Sequence, residues 1–226
     1  MTDKAEKGIT LIELLVAIAI VGILAVLVAP ELGRFRSNYN ARSCATDLIQ
    51  YMRAARAMAI KENREYLIVF DIANQRYLIG FDGDGDNDLI TVDSDTFGIC
   101  NDADGDRLPN GDADNNLDGV PECVRVVNLN DCGNDISFGT LAAADPDGDA
   151  ITCNGGTVCF GATANPIRAD FNPNGSIGNL GSVYFQQTTR GYSYVVIASN
   201  TSGSMNMWKW DGDADDALNP NWTEIR

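Results

Sequence analysis

The chain has 226 residues and a net charge of −16, with 32 Asp and Glu residues against 16 Lys and Arg residues. Such an acidic protein is poorly suited to neutralise phosphates, so the composition argues against a nucleic-acid-binding function. The sequence contains no His, which removes the commonest general base and transition-metal ligand. It also has no nucleophile-elbow or Ser-x-x-Lys motif, and we therefore predict that the protein is not an enzyme.

The chain begins with an eight-residue leader, MTDKAEKG, that is followed by an apolar stretch. Between Ile9 and Ala29 the only strongly polar side chain is that of Glu13. A helix over this stretch would be about 30 Å long, which matches the hydrocarbon core of a bilayer. A secretory signal peptide would be cut after its apolar region, whereas here the expected cut lies before it, after Gly8. The apolar helix would therefore be kept in the mature protein. The alternative interpretation of this stretch is an ordinary signal-anchor helix.

The stretch KGITLIELL at residues 7–15, together with Pro30, resembles the processing site and first helix of type IV pilins and pseudopilins. The resemblance implies cleavage after Gly8 by a prepilin peptidase and N-methylation of the new N-terminus at Ile9. It also implies a helix kink at Pro30. Ile9 stands where this family usually has Phe or Met, which leaves the extent of methylation open.

The same resemblance implies an assembly role for the N-terminal helix. Glu13 would pair with the ammonium group at Ile9 of an adjacent subunit, because a lone carboxylate in hydrocarbon needs a partner. The implied partners are the prepilin peptidase, other pilins or pseudopilins, and the inner-membrane assembly platform. The implied location is the inner membrane, with a single span and a periplasmic C-terminal domain that can enter a pseudopilus or pilus.

We divide the chain into a leader (1–8), a transmembrane assembly helix (9–30), an amphipathic helix (31–64) and a β-rich domain (65–226). The amphipathic helix is predicted because apolar side chains recur at three- and four-residue intervals or their sums. These side chains belong to Leu32, Phe35, Leu48, Met52, Ala55 and Ala59. The fold class is therefore predicted to be α+β, with the long helix packed on an antiparallel sheet or sandwich.

Two hairpins are predicted in the β-rich domain. The first joins β-rich runs at 66–70 and 76–81, and the second joins runs at 182–186 and 192–199. A further strand-like run extends over 205–210. The nearby aromatic residues Trp208, Trp210 and Trp222 either bind a sugar or partner or simply pack in the sheet.

Two further motifs resemble the GspH/FimT family of minor pseudopilins and pilins. One is Ala55-Arg56-Ala57-Met58-Ala59 at the end of the helix, and the other is an F-x-P-x-G turn that begins at Phe171. The arginine of the family's usual C-terminal Gly-Arg pair is missing after Gly203. The resemblance covers roughly residues 7–81 and 167–200. It implies a minor pseudopilin of a type II secretion system or, as the alternative, a minor type IV pilin with a surface- or ligand-binding head.

Between the two hairpins we expect an acidic, loop-rich insertion at 82–165. Alternate carboxylates on tight, glycine-containing loops can converge on a calcium ion, so we predict calcium as a cofactor. The candidate ligands are Asp82, Asp84, Asp86, Asp88, Asp112, Asp114, Asn116 and Asp118. The alternative is a solvated acidic surface.

The six cysteines all follow the apolar stretch and include no CxxC pair. An even number in an exported domain predicts disulfides, for which 15 connectivities are possible. The candidates are Cys44, Cys100, Cys123, Cys132, Cys153 and Cys159. We expect two or three bridges in the loop-rich centre, and Cys44, because it lies on a helix, is the best candidate for a buried free thiol.

Overall fold

The computed structural model describes residues 10–81, 123–153, 156–160, 167–188, 191–210, 212 and 222–225, with the side chains of 27–37 excepted. The described chain contains one long helix, α1, at Leu11–Glu62. It also contains the strands β1 (Tyr66–Asp71), β2 (Arg76–Phe81), β3 (Cys123–Asn128), β4 (Ile136–Phe138), β5 (Arg168–Phe171), β6 (Gly181–Gln187), β7 (Tyr192–Ala198), β8 (Met205–Trp210) and β9 (Trp222–Ile225). The predicted α+β class is confirmed.

Helix α1 has 52 residues and is therefore about 78 Å long. It continues without interruption through Pro30, which cannot donate a backbone hydrogen bond to the preceding turn. It ends at Glu62 and is capped by Asn63, which has a left-handed backbone (φ 55°) and donates its N–H to the carbonyl of Ala59. In the part of the chain that the structure describes, no helix meets the length and hydropathy needed to cross a bilayer.

The strands form two antiparallel sheets. The first has the order β3-β2-β1-β5, and the second has the order β4-β6-β7-β8-β9. Both predicted hairpins are present, since β1 pairs with β2 and β6 pairs with β7, and the predicted strand at 205–210 is β8. The chain therefore uses local hairpins to build the centre of each sheet.

One hydrophobic core joins α1 to the inner faces of both sheets. The helix contributes a buried stripe of Ala41, Cys44, Ala45, Leu48, Ile49, Met52, Ala55 and Ala59. The two sheets also touch directly, because the rings of Phe70 on β1 and Phe138 on β4 meet edge to face at 6.2 Å between centroids. The small alanines of the stripe allow the helix to approach the sheets closely. The predicted apolar face is thus confirmed for Leu48, Met52, Ala55 and Ala59, and Leu32 and Phe35 lie outside the described side chains.

The outer face of the second sheet carries a smaller apolar cluster under the segment 139–160. Trp210 and Trp222 are buried there beside Tyr184 and Ala142, and the Trp222 indole N–H donates to the carbonyl of Ala144 at 2.9 Å. The packing interpretation is therefore correct for these two tryptophans. Trp208 lies at the margin of the same cluster and is half-buried.

Strands β3 and β4 lie inside the stretch 82–165, which we expected to be a loop-rich insertion. Strand β3 pairs with β2, and β4 pairs with β6, so each forms an edge of its sheet. That expectation is wrong for these two segments, because their short apolar runs gain stability from pairing with neighbouring strands. Residues 82–122 lie outside the described part of the chain.

Candidate assembly surface

The first half of α1 presents apolar side chains that the head does not cover. Residues 10–26 are all exposed, and the exposed fraction reaches 79% at Leu11 and 73% at Val26. A helix that is apolar on every side is stable only where lipid or other helices surround it. This half of α1 is therefore a candidate surface for association, and the described residues of the head leave it exposed.

Glu13 lies in the first turn of this exposed surface. Its backbone N–H donates to the Oγ1 of Thr10 at 3.3 Å, and Thr10 has the extended backbone of an N-cap residue. A carboxylate in the first turn also interacts favourably with the helix dipole. The role of Thr10 was not predicted from the sequence, although the spacing Thr10-x-x-Glu13 is the pattern of a capping box.

A disulfide fastens the second half of α1 to the head. Cys44 on the helix bonds to Cys132, which follows β3, across a sequence separation of 88 residues and a Cα–Cα distance of 5.6 Å. The prediction of Cys44 as a disulfide cysteine is confirmed, and the alternative of a free buried thiol is wrong, because the connection after β3 passes directly beside this turn of the helix. The bridge fixes the helix relative to the β3–β4 connection.

Three of the four remaining predicted disulfide cysteines are confirmed as bonded. Cys153 and Cys159 form a second bridge within the segment that covers the second sheet. Cys123 is also disulfide-bonded. Cys100 lies outside the described residues.

A buried tyrosine makes a further contact between the helix and the second sheet. The hydroxyl of Tyr194 on β7 donates to the side-chain Oδ1 of Asn38 on α1, and Tyr194 is 1% exposed. Burial raises the pKa of Tyr194 to about 12, because the phenolate would lose its hydration, and Arg42 opposes the shift only in part. The contact therefore depends on a neutral tyrosine.

Arg56 brings together the two motifs that resemble the GspH/FimT family. Its Nε donates to the carbonyl of Gly175 at 2.6 Å, and Gly175 (φ +80°) belongs to the F-x-P-x-G turn. The guanidinium also lies against Gly203, where an added Cβ would come within 2.8 Å of it. A backbone bond from Ile177 to Thr201 joins the two turns. Arg56 thus holds the end of α1 against the turns that follow β5 and β7.

Gly8, Ile9 and the eight proposed calcium ligands in the Asp82 and Asp112 loops lie outside the described residues, and so does the side chain of Pro30. Among the described residues no group of three or more acidic or Cys side chains is placed to hold a metal. The calcium assignment stays a prediction.

Comparison with known proteins agrees with the N-terminal features. Residues 3–29 match the model of the prokaryotic N-terminal methylation motif. Two curated fimbrial proteins of Pseudomonas aeruginosa are each 34% identical over 100 residues, which is 40% of this chain. The chain spans 62% of the length of these relatives.

Two solved structures of the minor pseudopilin EpsH from the type 2 secretion system of Vibrio cholerae are also similar. They have TM-scores of 0.39 and 0.35 at 10% and 12% identity. Each match covers 74% of this chain, and 95% and 92% of the respective structure.

In its methylation motif, its fimbrial relatives and its helix-plus-sheet architecture, the chain resembles a type IV pilin-like protein, of the pilin and pseudopilin class. Proteins of this class are structural subunits and not enzymes.

Proposed function

We propose that the chain is a minor pseudopilin of a type II protein secretion system, which assembles through α1 into a pseudopilus and supports protein export. The observation that carries the assembly role is the exposed apolar half of α1 with Glu13 in its first turn. The resemblance of the Arg56 and Phe171 motifs to the GspH/FimT family, which includes minor pseudopilins as well as pilins, supports the proposal, and Arg56 joins these motifs in the folded head.

In this proposal the membrane holds the subunit before assembly. Prepilin peptidase cuts after Gly8, and the processed N-terminus at Ile9 is methylated. The apolar half of α1 lies in the inner membrane, with the head in the periplasm, until the assembly platform transfers the subunit to neighbouring pilins. The same side chains then exchange lipid for other helices at little cost in free energy, because both surroundings are apolar.

Glu13 sets the register of this packing. Its carboxylate pairs with the ammonium group of Ile9 on the adjacent subunit, which removes the cost of leaving either charge alone in hydrocarbon. A subunit displaced by one helical turn would lose the pair and leave two uncompensated charges. The pair therefore favours a single docking position.

The substitution Glu13→Ala tests the pairing. We expect normal cleavage after Gly8 but strongly reduced incorporation into filaments, measured by immunoblotting of sheared filaments and membranes. Thr10→Ala is the matched control, because it removes the helix cap at a cost of about 1 kcal/mol and keeps the carboxylate. Normal incorporation of the Glu13 variant, or an equal loss in the Thr10 variant, would contradict the pairing.

A minor type IV pilin with a surface- or ligand-binding head is the second candidate, and the fimbrial relatives favour it. Deleting the gene in its native cell separates the two candidates. Lost exoprotein release with normal piliation supports the secretion role, whereas lost adhesion or piliation with normal release supports the pilin role. A deletion strain with normal release, piliation and adhesion would contradict both.

A further inference from the structure

We propose that the groove between α1 and the β8–β9 hairpin binds an acidic segment of a second copy of this chain. The groove has a volume of about 290 Å³ and is lined in part by Arg42, Ile49, Arg53, Met205, Met207 and Ile225. The inference rests on the proposed assembly function, because assembly through α1 brings neighbouring heads together.

The helix side of the groove is one continuous stripe. Arg42, Thr46, Ile49 and Arg53 follow one another at intervals of four, three and four residues, so they lie on one face of α1. This face borders the buried stripe that packs on the sheets. The groove therefore has a rigid wall that is continuous with the exposed half of the same helix.

The floor and the rim of the groove have different chemistry. Ile49 and Met207 are each 7% exposed and supply an apolar floor, whereas Arg42 and Arg53 are exposed at the rim. Glu224 is the acidic lining residue on the opposite side. Two guanidinium groups above an apolar floor suit a peptide that carries both clustered carboxylates and apolar side chains.

A second copy of the chain carries such a peptide. The stretch 82–118 contains twelve Asp residues and a single Arg, and apolar residues such as Leu89 and Phe97 lie between them. Because the whole chain has a net charge of −16, two copies repel each other unless their cationic surfaces face acidic ones. Pairing the groove with this stretch places opposite charges together where neighbouring heads meet.

Photo-crosslinking of the full chain in proteoliposomes tests the proposal. A photo-crosslinking amino acid replaces Thr46, which lines the groove, and in a separate sample it replaces Ile18, which is exposed on the apolar half of α1. Equal amounts of isotopically heavy and light chain are mixed before reconstitution. Mass spectrometry then shows whether a crosslink joins two copies or lies within one.

We expect crosslinks from position 46 to peptides of 82–118, with heavy–light pairs present. Three results would overturn the groove proposal and leave the assembly function intact. The first is that position 46 crosslinks only within one copy, and the second is that it crosslinks to a segment other than 82–118. The third is that position 46 does not crosslink at all while position 18 crosslinks between copies. Absence at both positions would contradict both proposals. Crosslinks between copies at position 46 alone would support the groove and contradict assembly through the helix.

Charge substitutions test the physical basis of the contact. Arg42→Gln with Arg53→Gln should lower the yield at position 46 about fivefold, as expected for the loss of two exposed ion pairs, and 1 M NaCl should lower it similarly. Lys61→Gln with Lys209→Gln is the matched control, because it changes the net charge equally outside the groove. An unchanged yield in the arginine variant would overturn the proposal.

Discussion

The contact between Arg56 and the F-x-P-x-G turn gives the sharpest prediction for the head. The substitution Arg56→Met keeps most of the aliphatic stem and removes the donor to the carbonyl of Gly175. Gly175 is buried, so its carbonyl would lose a charged donor. A hydrogen bond from a charged group contributes roughly 1.5–3 kcal/mol, and we expect the free energy of unfolding to fall by about 2 kcal/mol.

Arg56→Lys should restore only part of this stability, because an ammonium group lacks the planar fork that lies against Gly203. The assay is urea unfolding of the full chain in detergent micelles, followed by the fluorescence of the buried residues Trp210 and Trp222. Arg53→Met is the matched control. Arg53 is exposed on the neighbouring turn of α1, and its loss should change stability by less than about 0.5 kcal/mol.

The result that would refute this reasoning is an Arg56→Met variant as stable as the Arg53→Met variant. The slope of the unfolding free energy against urea should stay unchanged in both variants, because neither substitution alters the surface exposed on unfolding. A changed slope in the Arg56 variant would mean that the turns had opened in the native state. The loss of stability could then not be assigned to one hydrogen bond.

Three further predictions concern covalent, ionisable and metal-binding groups. Replacing Cys44 and Cys132 by Ser should lower the free energy of unfolding by about 4–5 kcal/mol, since the bridge closes a loop of 88 residues. Denaturant titrations measure this loss, and a loss below about 1 kcal/mol would contradict the prediction. Burial raises the pKa of Tyr194 to about 12. The stability gained from keeping this hydroxyl protonated is therefore complete below pH 10 and is lost as the pH rises from 10 to 12. Tyr194→Phe should flatten the fall of the melting temperature between pH 10 and 12, and an identical fall in the variant would refute the assignment. Calcium should raise the melting temperature if the Asp82 and Asp112 loops bind it, and an unchanged melting temperature in chelator with no bound ion would exclude such a site.

Local patterns were sufficient to predict the helix and the two hairpins. Strands β1 and β2 are consecutive, and the residues between them can form only a short turn, so the sequence alone indicates their pairing. The same holds for β6 and β7. The buried stripe of α1 was likewise visible in its periodicity.

Contacts between distant residues could not be predicted in this way. Acidic residues surround the edge strands β3 and β4 in the sequence, and β4 has only three residues, so their sheet partners identify them as strands. The partner of Cys44 depends on where the connection after β3 crosses the helix. The hydrogen bond from Arg56 to Gly175 spans 119 residues. In each case the stabilising partner is brought close only by the complete fold.

The Cys44–Cys132 bridge also determines how the molecule responds to tension. If the exposed half of α1 is pulled out of a membrane, the load travels along the helix and reaches the head first through the anchoring contacts nearest the pulled end. Asn38, Ala41 and Cys44 are the first such contacts with the head among the described side chains. Because the third of these is covalent, sliding of the helix past the sheets requires bond rupture and not merely the shearing of apolar contacts. The head would then follow the helix as one mechanical unit.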